Sequence, residues 1–304
     1  MPKLRSYIPT DLAKVLQFLG QCFLDRDFSD YHLGDILHAM SSRYRGTDLN
    51  KYFWLFEKQD RLVAFAEFSK AESASYTLIT DPGYSESGWD AALHNQCQAI
   101  MRERMKDNPP DKRVLTTNIN ASDQKTLDCL ESLGYEIKPA NYIQTLRELS
   151  IPVPASVLPE GFHIRSVAGE HEAPLVAEVH NASFGSSWTP EDYLKVMRTP
   201  GFSINHELVV VAPDGRFAAF LLYWLDPVSK SGLFEPVGCH KDFQRRGLTK
   251  ALVYEGMRRM LKAGMEKAVV LHEIDNPAST NLYASAGFKE NFKTVDCEVY
   301  VGNN

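Results

Sequence analysis

The stretch that decides the fold is Gly238–Leu252, GCHKDFQRRGLTKAL. An apolar run precedes it, and its last residues open an amphipathic helix. Arg245 and Arg246 therefore sit side by side at a helix start, where the unpartnered amides and the helix dipole are already positive. Two more cations there call for an anion, and a phosphate cradled by successive backbone N–H groups is the simplest one. Gly247 would let the backbone approach it closely. The plain alternative is a solvated basic cap on a surface helix.

Reading outward from this junction, the C-terminal half alternates short strands and helices. Strands are expected at Phe162–Val167, Glu207–Ala212, Arg216–Asp226, Gly232–His240, Lys267–Glu273 and Lys293–Val301, with a hairpin at Pro213-Asp214-Gly215. Helices are expected at Ala173–Ser183, Pro190–Arg198, Leu248–Ala263 and Ala278–Ser285. In the long helix, Leu248, Leu252, Met257, Met260 and Leu261 are expected on one apolar face.

The same order recurs in the first half. RSYIPTDLAKVLQFLGQCF from Arg5 parallels RSVAGEHEAPLVAEVHNASF from Arg165, and ESLGYEIKP (Glu131–Pro139) parallels ASAGFKENF (Ala284–Phe292). Strands are expected at Leu4–Ile8, Lys51–Phe56, Leu62–Ser69, Ser75–Thr80, Val114–Ile119 and Tyr142–Leu149. Two helices run to Met40, and others span Ala91–Met105 and Gln124–Leu133. Between the halves, SIPVPASVLPEG (Ser150–Gly161) packs three prolines and a glycine into a stretch without hydrophobic period, the mark of a linker. The chain thus divides into residues 1–149, a linker at 150–161, and residues 162–304.

Thirty residues past the arginines stands NPASTNLYASAGF, Asn276–Phe288. Together with Val237-Gly238-Cys239-His240, Gln244 and Gly247, it resembles the GNAT acyltransferase superfamily, whose members use acetyl-CoA or another acyl-CoA. The resemblance covers the C-terminal half. It implies an α/β fold of two tandem GNAT-like domains, each a mixed, mostly antiparallel sheet flanked by helices. It also implies that the backbones of Val237 and Cys239 pair with the pantetheine arm, that Gln244, Arg245, Arg246, Gly247, Leu248 and Thr249 hold the pyrophosphate, and that Asn276 and Asn281 lie near the cofactor. Tyr283 is implied as general acid for the leaving thiolate. Two positions depart from the family pattern: Thr249 replaces glycine or alanine, and Lys241 replaces proline.

Transfer to an amine needs a base, and Glu235 is the first choice. It alternates in phase with Val237 and Cys239, so all three are expected on one side of their strand. Burial there would raise its pKa. His240, His272 and Glu273 are weaker choices. Trp188, Trp224 and Asp226 are expected to join Glu235 in framing a cationic amine.

The first half lacks these features. Pairing Gly88 with Gly247 puts Ser85-Glu86-Ser87 where Gln244-Arg245-Arg246 stand and Asp90 in place of Thr249, and the pairing of Glu131 with Ala284 puts Leu130 in place of Tyr283. Carboxylates would repel phosphates there, so residues 1–149 read as a degenerate copy that kept its core. It would shape the acceptor pocket or serve as a covalently attached partner domain.

Composition narrows the classes further. Over 304 residues the formal net charge is −6, with no basic run, which disfavours nucleic acid as partner. The five cysteines, Cys22, Cys97, Cys129, Cys239 and Cys297, form no C-x-x-C pair and read as reduced thiols rather than a zinc site. No metal is expected. The longest apolar run, Phe217–Leu225, is too short to span a bilayer, and no apolar segment follows the N-terminal lysine and arginine, so a cytoplasmic location is expected. The expected function is transfer of an acetyl or other acyl group to a small-molecule amine or a peptide. The alternative is a non-catalytic acyl-CoA-binding or regulatory protein on the same fold. Oligomeric state is left open, a monomer with an internal pseudo-dimer being one form.

Overall fold

The structure is a computed structural model that describes residues 2–28, 31–85 and 88–302. In the first half the order is β1 (Lys3–Ser6), α1 (Leu12–Asp25), α2 (Leu33–Ser41), β2 (Phe53–Lys58), β3 (Arg61–Phe68), β4 (Tyr76–Thr80), α3 (Pro82–Ser85), α4 (Asp90–Arg104), β5 (Val114–Asn120), α5 (Gln124–Ser132) and β6 (Glu136–Glu148). The second half continues with β7 (His163–Ser166), α6 (Ala173–Phe184), α7 (Pro190–Met197), β8 (Glu207–Val211), β9 (Phe217–Asp226), β10 (Ser231–Cys239), α8 (Leu248–Lys262), β11 (Lys267–Glu273), α9 (Pro277–Ser285) and β12 (Lys289–Tyr300).

Two sheets result. One has the order β1-β2-β3-β4, the other β5-β12-β6-β11-β10-β9-β8-β7. The long last strands account for the asymmetry. β6, from the first half, pairs with β11 along its length, while β12 pairs with β5, and β6 and β12 lie side by side. Each half thus completes the sheet of the other, and both strands start earlier than their apolar pattern suggested. The segment from 150 to 161 contains no helix or strand. It is pinned to α8, with Arg258 donating to the Pro154 carbonyl at 2.6 Å and Ser156 to the Ala251 carbonyl at 2.8 Å.

α8 buries Leu248, Leu252, Val253, Gly256, Met257 and Met260 against the second sheet. Leu261 is 49% exposed, contrary to expectation, because one further helical step of about 100° past Met260 turns it outward. On the opposite face, Leu222, Trp224 and Leu233 join the core formed by α1 and α2. α2 seats on β9 and β10 through Gly34, where a Cβ would lie 2.8 Å from the Trp224 Cβ and 3.0 Å from Leu233. Gly34→Val should therefore lift α2 from the sheet and cost about 1–3 kcal/mol, read as a lower urea midpoint with an unchanged m-value.

Candidate active site

The second sheet opens at its one parallel pair. β10 and β11 are in register only over Ser231–Leu233 and Lys267–Val269; beyond that β10 follows β9 and β11 follows β6. The opening is built by a bulge between Phe234 and Val237, containing the cis Glu235-Pro236 bond. Proline removes a ladder donor, so the pairing breaks there.

The bulge also changes which way side chains point. Phe234 and Val237 pair with Tyr223 and Leu221, two residues apart, so they share a face. Val237 and Cys239 pack with the core under α8, whereas Glu235 turns to the other face and meets α2. The expectation that Glu235, Val237 and Cys239 share one side is corrected: the extra residue reverses the alternation.

At the mouth of the opening, Arg245 and Gly247 take left-handed backbone conformations, with φ of 62° and 77°. Added atoms on Gly247 would meet nothing within 4 Å. The amides of Gly247, Leu248, Thr249 and Lys250 have no protein acceptor among the described residues, the first intrahelical bond being Ala251 N–H to the Gly247 carbonyl at 3.1 Å. Gln244, Arg245 and Arg246 are exposed. Arg246 lies over the Phe243 ring, 5.5 Å from its centroid. The Cys239 thiol lies 3.6 Å from the Ala218 carbonyl oxygen and 3.7 Å from that of His240. Asn276 caps α9 by accepting from the Ser279 amide at 3.1 Å, and Asn281 is exposed on the same helix.

Tyr283 is 4% exposed. Its ring stacks on His272 at 5.4 Å and meets Phe288 edge-on at 5.5 Å, and its hydroxyl makes no protein hydrogen bond among the described residues. Burial, and next the Glu235 charge, push its pKa up. Tyr283 packs under α8 and Glu235 faces α2, and the Glu235 charge still reaches Tyr283, so the two approach the opening from opposite faces. His240 is buried and accepts from the Asp242 amide at 3.2 Å, and His272 bonds the Glu273 carbonyl at 3.0 Å through Nδ1.

Glu235 lines a cavity of about 830 Å³ that runs into the first half. There β4 and β5 also part, held only by a bridge between Ser75 and Thr116. Hydroxyl and amide side chains line much of this arm, among them Thr77, Thr80, Asn118, Asn120, Ser122 and Gln144. Gly88 repeats the left-handed backbone of Gly247, at φ 79°. Asp90 stands in the first turn of α4 and meets Lys125 at 3.3 Å, so the positive helix start already has a carboxylate. Leu130 is buried. Glu86 and Ser87 lie outside the described residues.

The first half also brings groups to Glu235 that the sequence reading missed. Asp35 hydrogen-bonds its carboxyl, and His38 Nε2 lies 3.6 Å from its Oε1. Burial pushes Glu235 up to about 7 although 37% of its side chain faces the cavity; the Arg43 charge and the Asp35 bond pull it back. Burial lowers His38 to about 4. The signal was present in His32, Asp35 and His38, polar residues three apart on an otherwise apolar helix. Trp224 and Asp226 do not face the cavity. Trp224 is buried and donates to the Glu235 carbonyl at 2.8 Å, and Asp226 is buried and accepts from Val228 and Ser229. Trp188 lies under Arg45 at 4.3 Å.

Among the described residues no group of three or more His, Cys, Asp or Glu is placed to hold a metal ion, and no helix is long and apolar enough to cross a membrane.

Residues 174–288 match the family model "Acetyltransferase (GNAT) family". A mycothiol acetyltransferase of Thermobispora bispora is 21% identical over 82% of this chain and 83% of its own length. Another, of Nocardia farcinica, is 29% identical over 48% of this chain and 51% of its own. Among solved structures, a GCN5-related N-acetyltransferase from Sphaerobacter thermophilus superposes with TM-score 0.68 at 20% identity, covering 99% of this chain and 96% of that one. A tandem GNAT protein from the clavulanic acid biosynthesis pathway gives 0.68 at 14% identity over 100% of both. The family transfers acetyl groups and uses acetyl-CoA as co-substrate. The second half thus carries a match to the GNAT acetyltransferase family over residues 174–288, and the whole chain has the fold of tandem GNAT structures.

Proposed function

We infer that this chain is an acyl-CoA-dependent N-acyltransferase, acetyl-CoA being the simplest donor, with one cofactor site in its second half. The observation that carries this is the junction between β10 and α8. Four unpartnered amides, a left-handed glycine and two exposed arginines stand beside an opened sheet, with a carboxyl and a tyrosine on its two faces. The free amides and arginines suit a pyrophosphate, and the unpaired strand edges of Val237 and Cys239 suit an amide-bearing arm. Bound there, the acyl-CoA supplies an activated acyl carbonyl.

The chain's own groups would then handle protons. Glu235 takes one from the acceptor ammonium, freeing a lone pair on nitrogen. As the new C–N bond forms and the C–S bond breaks, Tyr283 would give its hydroxyl proton to the departing sulfur, and the second proton shed by the nitrogen would restore the phenol through solvent. Holding amine and thioester in line across the opening would contribute much of the rate. The acceptor would enter through the arm of the cavity in the first half. The curated relatives are named for acetylating mycothiol, and the hydroxyl and amide lining here suits a comparably polar amine.

Calorimetric titration with acetyl-CoA tests the reading. The expected result is one site per chain, lost in the Arg245→Ala/Arg246→Ala double variant. Two sites would mean that the first half also binds cofactor, and no binding would sink the acyltransferase reading. Binding without turnover across an amine screen would favour a regulatory acyl-CoA-binding protein.

A further inference from the structure

We propose that Arg43 makes the acceptor cavity selective for a small amine that also carries a carboxylate, the guanidinium taking the carboxylate while the amine stands at Glu235. The choice of acceptor deepens the acyl-transfer reading and rests on it; the anion site at Arg43 does not.

The arginine is fixed from behind. Glu67, next to last in β3, is 2% exposed. Its Oε2 accepts from the Tyr31 hydroxyl, and its Oε1 accepts from the Tyr44 hydroxyl at 2.9 Å and from Arg43 Nη1 at 2.6 Å. Three donors thus hold a buried anion, and both of its oxygens are engaged. Tyr44 is locked in turn, stacked on Tyr52 at 4.4 Å and edge-on to Phe53 at 5.4 Å. The turn that carries Arg43 is tied to the end of α2, where the Ser42 amide and hydroxyl donate to the His38 carbonyl at 2.8 and 2.7 Å.

The ion pair is one-sided. The Glu67 side chain is 2% accessible and that of Arg43 59%, and Arg43 lines the same cavity as Glu235. A guanidinium is a planar fork with five donors, and Glu67 meets one of its nitrogens. Among the described residues no second carboxylate pairs with it. The rest of the fork is open to a ligand, and a carboxylate matches its geometry. Glu67 offsets the Arg43 charge at a distance, so the selection acts at hydrogen-bond contact. Arg26, the other arginine of the lining, is committed elsewhere, donating to the Thr80 carbonyl at 2.8 Å and lying 3.7 Å from Asp123.

Carboxylates stand near the arginine. His38, whose carbonyl ties the Arg43 turn, places Nε2 3.6 Å from Glu235 Oε1, and the Arg43 charge reaches the Glu235 carboxyl. Asp35, also in the lining, accepts from the His32 amide at 2.7 Å, a contact that suits its anion. An ammonium is favoured beside Glu235 and Asp35 and an anion at Arg43, so the lining complements a zwitterion.

A panel of α- and ω-amino acids and their matching carboxamides tests this, each pair differing at the carboxylate. With acetyl-CoA and the full chain, the best acceptor should be an acid whose carboxamide has a kcat/KM lower by about 10- to 100-fold, chiefly through KM. Arg43→Gln should collapse that preference to within about 3-fold, and Arg43→Lys, which keeps the charge without the fork, should retain part of it. The ratio is the readout because losing the Arg43 charge slows both members of a pair alike through Glu235, and each amine's own ionisation is the same with every variant. A wild-type preference for carboxamides overturns the proposal and needs no variant to fold. An acid preference that survives Arg43→Gln also overturns it. Ligand-observed NMR of the same panel without acyl-CoA separates this proposal from the acyl-transfer reading. Acids that bind the wild type but not Arg43→Gln, with no member acetylated, would end the acyl-transfer reading and leave the anion site standing. No acid bound and none turned over by the wild type would overturn the anion site itself.

Discussion

Glu235→Gln should lower acetyl transfer at pH 7.5 by ~10²–10⁴-fold and at the same time raise the melting temperature. Both effects follow from one shift. Burial lifts the Glu235 carboxyl from its ordinary value of 4.5 to about 7. Below about 4.5 the group is neutral in both folded and unfolded chains, so the substitution should be nearly neutral for stability. Between 4.5 and 7 the unfolded chain ionises and the folded one resists, so wild-type stability falls with rising pH. Above 7 the folded chain carries a charge it holds unwillingly, and glutamine removes that cost. The gain in melting temperature should therefore be absent near pH 4 and complete near pH 8. Wild-type kcat/KM should rise through pH 7 and level off as the base becomes fully ionised. Thermal scans and rate–pH profiles of the two proteins check both halves of the expectation. A glutamine variant that is no more stable at pH 8 than at pH 4 would mean that Glu235 is not strained by burial, and its case as a tuned base would fail.

Much of the second half is legible in the sequence because its signals are local. Gly247 before an amphipathic run marks the start of α8, and the NLY…GF pattern places Tyr283 on α9. What was not legible depends on contacts between distant segments. The halves share an order of elements, so β6 and β12 are each compatible with either partner sheet, and local pattern cannot tell exchange from separate closure. Because the strands are exchanged and α2 lies on β9 and β10, the first half contributes Asp35 and His38 beside Glu235. A reading that treated that half as a copy without a site looked for its chemistry at Ser85–Asp90 and overlooked α2. The reversal of Glu235 relative to Val237 was signalled by Pro236, since a proline inside a central strand marks a bulge, and a simple alternation runs through it. Trp224 and Asp226 misled for the opposite reason. Their residue types suit a cation site, but both sit on β9 at the centre of the second sheet, where covering helices bury them.

Tyr283→Phe should cost a comparable ~10²–10⁴-fold in kcat while leaving acetyl-CoA affinity and stability nearly unchanged. The ring is what packs: it stacks on His272 and meets Phe288, and phenylalanine keeps both contacts. The hydroxyl has no protein partner among the described residues, so removing it strands no buried group. Burial and the facing Glu235 push its pKa up, so it holds its proton throughout the range in which Glu235 is ionised. An acid that stays protonated above pH 7 beside a base ionised above pH 7 predicts a wide alkaline plateau in the wild-type profile rather than a bell. Losing the proton donor should slow departure of the thiolate and leave the acid limb set by Glu235 where it was. Thiol release and calorimetry on the same preparation separate the two effects. A phenylalanine variant with near wild-type kcat would remove Tyr283 from the chemistry, and the sulfur would have to take its proton from solvent through the open side of the cleft. A variant that lost acetyl-CoA binding along with kcat would make the hydroxyl a binding group, and the pairing of acid and base across the opened sheet would no longer hold.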